Sequence, residues 1–129
     1  MTKQLVTMKK LTQAEEQIMQ VLWALEKGGF LKDILENLQD QKAHHNTIAT
    51  LLKILVEKGF VGIQNPNRNN FYYAIVSKEA YSEERIVGIT ENYFEGSYSN
   101  VISFLVDKKQ MSIQDLELLL KQLKKKSND

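Results

Sequence analysis

Apolar residues recur at helical spacing three times before Gly59. Between Thr12 and Glu26 the positions Ala14, Ile18, Val21, Leu22 and Leu25 share a face, and Thr12 with Glu15 has the form of a capping box. This pattern predicts a first helix closed by Gly28-Gly29. Leu31, Ile34, Leu35 and Leu38 form a second, shorter stripe that runs out in the polar stretch Gln39-Asp40-Gln41-Lys42. A third stripe, Ile48, Leu51, Leu52, Leu55 and Val56, opens after Asn46-Thr47 and stops at Gly59, which readily takes a left-handed cap.

The period then changes to two. Phe60-Val61-Gly62-Ile63-Gln64 and Phe71-Tyr72-Tyr73-Ala74-Ile75-Val76 are β-branched and aromatic runs, and the Asn-rich stretch between them, with Pro66 and Arg68, reads as a hairpin loop tipped by one cation. Three helices and then a hairpin is the order of a winged helix-turn-helix domain, whose third helix enters the DNA major groove. Ser77-Lys78-Glu79 reads as a joint. Beyond it three further stripes follow: Ile86, Val87, Ile89, Tyr93 and Phe94, ending near Gly96; Tyr98, Val101, Ile102 and Leu105; and Ile113, Leu116, Leu119, Leu120 and Leu123, opened by Ser112 with Asp115.

The fold class expected is therefore mainly α with a small antiparallel β-hairpin: a winged helix-turn-helix domain over 8–77 and a three-helix region over 78–126. A segment as short as the second buries too little surface by itself and completes its core most easily against a second copy. Dimerisation is expected through Tyr93, Val101, Ile102, Leu105, Leu116, Leu119, Leu120 and Leu123. The terminal Lys124-Lys125-Lys126-Ser127-Asn128-Asp129 suits a helix end and a solvated tail.

Composition narrows the function. Six Gly and one Pro leave little material for the turns of a β-sandwich, and zero cysteines exclude a disulfide framework, a thiolate metal site and a cysteine nucleophile. The apolar run 101–106 is far short of a membrane span, and Met1 to Lys10 lacks the apolar stretch of a signal peptide, so a cytoplasmic protein that does not bind membranes directly is expected. Net charge is only +1, but residues 1–78 hold ten Lys/Arg against seven Asp/Glu, whereas residues 79–129 hold seven against nine. A polyanion would be met by a few placed cations of the first part.

With its apolar stripe inward, the third helix turns Thr47, Thr50, Lys53 and Glu57 outward. Thr methyl and hydroxyl groups suit thymine methyls and base-edge acceptors, Asn46 can pair with adenine, and Lys53 can reach guanine or a phosphate. The same strip also describes an ordinary solvent-facing helix side. Arg68 stands where a wing cation would meet phosphates or the minor groove. His45 precedes the stripe and suits phosphate contact or loop packing. Of Tyr72 and Tyr73, one packs on the helices and the other faces out. His44-His45 is the only imidazole pair, but adjacent side chains diverge and no third ligand sits at a familiar spacing, so neither metal nor cofactor is expected. Trp23 belongs to the core. No phosphate loop, nucleophile elbow or zinc-protease motif occurs, and Glu15 and Glu16 are accounted for by capping and the helix dipole, so no enzyme is expected.

The stretch Leu11 to Trp23, then Lys32-Asp33-Ile34-Leu35, then Asn46-Thr47-Ile48-Ala49-Thr50 through Phe60-Val61, closely resembles the penicillinase repressor family (BlaI/MecI/CopY), over about residues 8 to 124. The Leu-Trp of the first helix and the N-T-x-x-T-x-x-x-x-L of the third occur together at the family's spacing, and the last strand carries a Tyr-Tyr. The resemblance implies a homodimeric winged-helix transcriptional repressor that binds a palindromic operator in double-stranded DNA. By position it carries base reading onto Thr47, Thr50 and Lys53, where the family commonly has Thr, Thr and Arg, and the wing contact onto Arg68. Copper-responsive members carry a C-terminal cysteine cluster that this chain lacks. Members that respond to β-lactams are cut by a membrane sensor-protease at an Asn-Phe bond in the fifth helix. The corresponding pair here is Phe104-Leu105, and the nearest Asn, Asn100, precedes Val101. The alternative class is a winged-helix module that docks another protein and reads no DNA sequence.

Overall fold

The structure is a computed structural model that describes residues 10–38 and 44–127. The expectations that fall on Met1 to Lys9, on the polar run from Gln39 to Lys42 and on Asn128-Asp129 lie outside the described residues. Helix α1 (Gln13–Leu25) opens with the reciprocal bonds of a capping box: Thr12 Oγ1 accepts from the Glu15 amide at 3.2 Å, and the Thr12 amide donates to Glu15 Oε1 at 2.8 Å. Its buried face is Glu15, Ile18, Met19, Val21 and Leu22, so Ala14, expected inward, is exposed and Glu15 takes its place. The carboxylate tolerates burial because the cap and Lys58 satisfy it.

Gly28-Gly29 do more than end α1. Gly29–Phe30 form a short strand, β1, followed by α2 (Leu31–Asn37), whose Asp33 carboxylate accepts from the Phe30 amide at 2.9 Å. Helix α3 (His45–Glu57) starts earlier than its apolar stripe predicts, so Asn46 and Thr47 lie in its first turn. Strands β2 (Val61–Gln64) and β3 (Phe71–Ala74) form the expected hairpin, with Gly62 opposite Tyr73 and Ile63 opposite Tyr72. Strand β1 pairs antiparallel with the other side of β3, Gly29 opposite Tyr72, giving the order β1-β3-β2. Two residues are too few to show an alternation in the sequence, which is why this third strand was not expected.

Ile18, Met19 and Leu22 of α1, Ile34 of α2 and Leu52 and Leu55 of α3 meet Phe60, Val61 and Tyr72 of the sheet in one core. Tyr81 joins them from α4 (Lys78–Tyr93), which Ser77 opens by accepting from the Ala80 amide at 3.1 Å. The Tyr81 hydroxyl donates to Glu16 Oε2 at 2.6 Å, and its ring lies edge-on to Phe60 at 5.7 Å and tilted to Trp23 at 5.9 Å. Trp23 packs against this core and donates its indole N–H to the Val76 carbonyl at 2.9 Å. The start of α4 thus belongs with the winged helix, and the chain divides into compact units of residues 1–84 and 85–129. Lys78 to Arg85 is polar apart from Ala80 and Tyr81 and shows no apolar stripe.

The second unit holds the rest of α4, α5 (Tyr98–Asp107) and α6 (Ile113–Ser127). Ser97 caps α5, and Ser112 with Asp115 caps α6 through reciprocal bonds of 3.0 Å each. Hydrogen bonds from the Ser112 amide and side chain hold the exposed Asp115 carboxyl below its ordinary pKa. Phe94 meets Phe104 edge-on at 5.4 Å. Yet Thr90 is the one buried residue among those described here: Tyr93, Ile102, Leu119, Leu120 and Leu123 are exposed, and Val101, Leu105 and Leu116 are half-buried.

Candidate nucleic-acid interface

Helix α3 is held from behind at both ends. Ile48, Leu52 and Leu55 anchor its inner face, and beyond its last turn Lys58 lies 2.7 Å from Glu15 Oε1 and donates to the Lys10 carbonyl at 3.3 Å. Burial pushes the Glu15 carboxyl up, but the Lys58 ammonium and the Thr12 amide and hydroxyl outweigh it and bring the group below its ordinary value. This charged pair ties the end of α3 to the start of α1.

The other face of α3 is open. His45, Asn46, Thr47, Thr50, Lys53 and Glu57 are all exposed, the strip that the helical period assigns outward. Thr50 Oγ1 donates back to the Asn46 carbonyl at 2.9 Å. Lys53 lines a recess of about 400 Å³ between α3 and the sheet, with Ala49, Glu57, Ile63 and Asn70 among its walls. His44 stands at the helix start without capping it through its side chain.

The hairpin loop folds as a single 3-10 turn, Pro66–Arg68. Asn65 Nδ2 donates to Asn70 Oδ1 at 3.1 Å across the base, and the Asn69 amide donates to the Pro66 carbonyl at 3.1 Å. Asn67 and Arg68 both sit in the left-handed region, at φ +53° and +67°. Asn tolerates that backbone; for Arg it costs about 1 kcal/mol or more. Arg68 is thereby presented at the tip. It lines a cleft of about 490 Å³ together with His45, Lys32, Asp33, Asn69 and Asn70, so the first turn of α3, the first turn of α2 and the wing tip face one hollow. Lys32 is the cation that sequence reasoning did not single out; a lone Lys on a short helix carries no signal until the wing folds beside it.

The structure thus brings His45 and Arg68 to one cleft and Lys53 to an adjoining recess, while Asn46, Thr47 and Thr50 stand on the exposed strip and line neither. The tyrosine question is resolved. Tyr72 packs into the core, with Asn70 Nδ2 3.5 Å from its hydroxyl, and Tyr73 lies on the opposite face of the sheet across Gly62. Among the described residues no three His, Asp or Glu side chains gather as metal ligands, and no helix is long and apolar enough to cross a membrane.

A cationic wing beside an open, mostly uncharged helix face can take a DNA backbone on the one and base edges on the other. The penicillinase repressor family model matches residues 11–125. The methicillin resistance regulatory protein MecI of Staphylococcus aureus strain N315 is 26% identical over 118 residues, which cover 91% of this chain and 95% of that protein. MecI of Mammaliicoccus sciuri is 25% identical over the same shares. Among solved structures, the solution structure of monomeric Bacillus licheniformis BlaI in complex with the blaP half-operator aligns with a TM-score of 0.48 at 21% identity, covering 58% of this chain and 92% of that one.

Proposed function

Because the chain belongs to the penicillinase repressor family, whose members are DNA-binding transcriptional repressors rather than enzymes, we propose that it is a cytoplasmic repressor that binds a palindromic operator as a homodimer. Each α3 enters the major groove of one half-site, with half-sites one or two helical turns apart. Thr47, Thr50, Lys53 and Asn46 read base edges; Arg68 and His45 hold the phosphates that flank them. The observation that carries this reading is the convergence of Arg68, Lys32 and His45 on one cleft beside the exposed strip of α3. The second unit supplies the dimer contact, through the apolar residues it leaves uncovered.

Relief of repression follows from cutting the dimer contact off the DNA-binding unit. The bond at the family's cleavage position is Phe104–Leu105, inside α5, and the enzyme is a membrane sensor-protease. The family's Asn-Phe pair is absent, so the protease has to accept a Phe-Leu bond. A new amino terminus at Leu105 in induced cells is the expected product.

Selection of bound duplexes from a random pool at physiological salt tests the central claim. Enrichment of a palindrome is the result expected. A folded dimer that enriches nothing, and whose DNA affinity scarcely changes with salt, would instead make this a protein-docking winged helix.

A further inference from the structure

The hydrogen bond from Thr50 Oγ1 to the Asn46 carbonyl fixes which of its two groups Thr50 has left to offer. A threonine in a groove normally brings both a hydroxyl donor, for guanine O6 or N7, adenine N7 or thymine O4, and a methyl. Here the hydroxyl hydrogen is spent on the helix at 2.9 Å, one turn back toward the amino end. With its hydrogen on the helix, Thr50 offers those four acceptor edges no donor, while its oxygen keeps acceptor capacity toward a base amino group. That bond draws the oxygen back toward the helix backbone, and Thr50 itself is exposed on the outward strip.

We propose that Thr50 is a thymine reader acting through its methyl group: it packs against the 5-methyl of one thymine in each half-site and donates no hydrogen bond to a base. The neighbours fit this division. Lys53, one turn on, supplies the charge for guanine or phosphate, and Asn46, one turn back, retains a side-chain amide for adenine, its main-chain carbonyl being the one that Thr50 occupies. Polar and apolar readout are thus split between positions of one strip. This rests on the repressor reading above.

The test uses the full-length protein and the duplex that the random pool enriches. Each thymine of a half-site is replaced in turn by deoxyuridine, which removes the 5-methyl and changes no hydrogen-bonding edge. One position is expected to lose about three- to fivefold in affinity, the worth of one buried methyl-sized group. Thr50→Val keeps the methyl and removes the hydroxyl; it should bind within twofold of the native protein and remain sensitive to the same deoxyuridine. Thr50→Ser keeps the hydroxyl and removes the methyl; it should bind the thymine duplex three- to fivefold more weakly and no longer distinguish it from the deoxyuridine one. Circular dichroism confirms that both variants are folded. The proposal is overturned if no deoxyuridine position matters, or if Thr50→Val loses binding that Thr50→Ser retains. A pool that enriches no sequence would remove the repressor reading itself, and this inference with it.

Discussion

Single residues in this molecule do separable work, and two of them show it by their cost. Arg68 is held at φ +67° at the wing tip, a conformation that a long L side chain adopts against its own preference. The exposed side chain is held there against its backbone preference, which fits the phosphate contact proposed for it. Arg68→Gly should leave the unfolding midpoint unchanged or raise stability by up to about 1 kcal/mol, while lowering DNA affinity and reducing the slope of log affinity against log salt by about 1. Urea titration and binding at several salt concentrations check both halves, and an unchanged slope would remove Arg68 from the phosphate contacts. Glu15 is the opposite case. Its pKa is lowered in the folded state, so its contribution to stability is complete above the ordinary carboxylate value of 4.5 and is lost as pH falls through the lowered one. Lys58→Met strands the buried carboxylate. The expected cost at neutral pH is about 2 kcal/mol, less than for a fully buried pair because Lys58 keeps a fifth of its exposure. The gap to the native protein should narrow toward pH ~4, where protonation removes the uncompensated charge; a gap independent of pH would mean that Lys58 acts by packing alone.

Elements are set by different signals, and those signals were unequally legible. The helices were read from their apolar stripes and caps: Thr12-Glu15 and Ser112-Asp115 make the reciprocal bonds their spacing implies. The outward strip of α3 follows from the helical period alone, and Thr47, Thr50, Lys53 and Glu57 are exposed as it requires. Hidden from the sequence was whatever depends on pairing at a distance. Strand β1 exists because β3 offers it a partner, and the first turns of α4 are placed by Tyr81 reaching Glu16. The convergence of Lys32 with Arg68 likewise needs the folded wing. Two glycines packed against β3 make the point quantitative. Gly28 sits at φ +103°, and a Cβ there would overlap the Tyr72 carbonyl oxygen, a backbone atom locked in the β1–β3 ladder. A Cβ on Gly62 would overlap the Tyr73 ring, which can swing aside. Gly28→Ala should therefore cost about 3 kcal/mol and Gly62→Ala about 1, measured by chemical denaturation. Equal costs would show that the sheet yields at Gly28.

At the scale of the whole molecule, the two units differ in how they cover their apolar surface. The first unit closes a core; the second, in which seven Lys/Arg nearly balance six Asp/Glu, leaves an apolar surface without cover. A monomer would present Tyr93 at 77% exposure and Leu120 at 54%, with Ile113 and Leu123 similarly open. Scattered single apolar residues on a surface need no explanation, but this many on a second unit with one buried residue among those described do. In the dimer proposed above, a second copy of the chain would supply that cover, and the same contact would couple the two DNA-binding units. Two half-sites bound by one tethered pair gain affinity through effective concentration without any further contact to DNA. Leu120→Asp places a charge where the fold of the single chain needs no apolar group. Its helix content should therefore stay native, sedimentation should report a monomer, and affinity for the full palindrome should fall by about a hundredfold or more, toward that for a single half-site. A proven monomer that still held the palindrome as tightly as the native protein would separate DNA binding from dimerisation and leave the apolar face of the second unit to another partner.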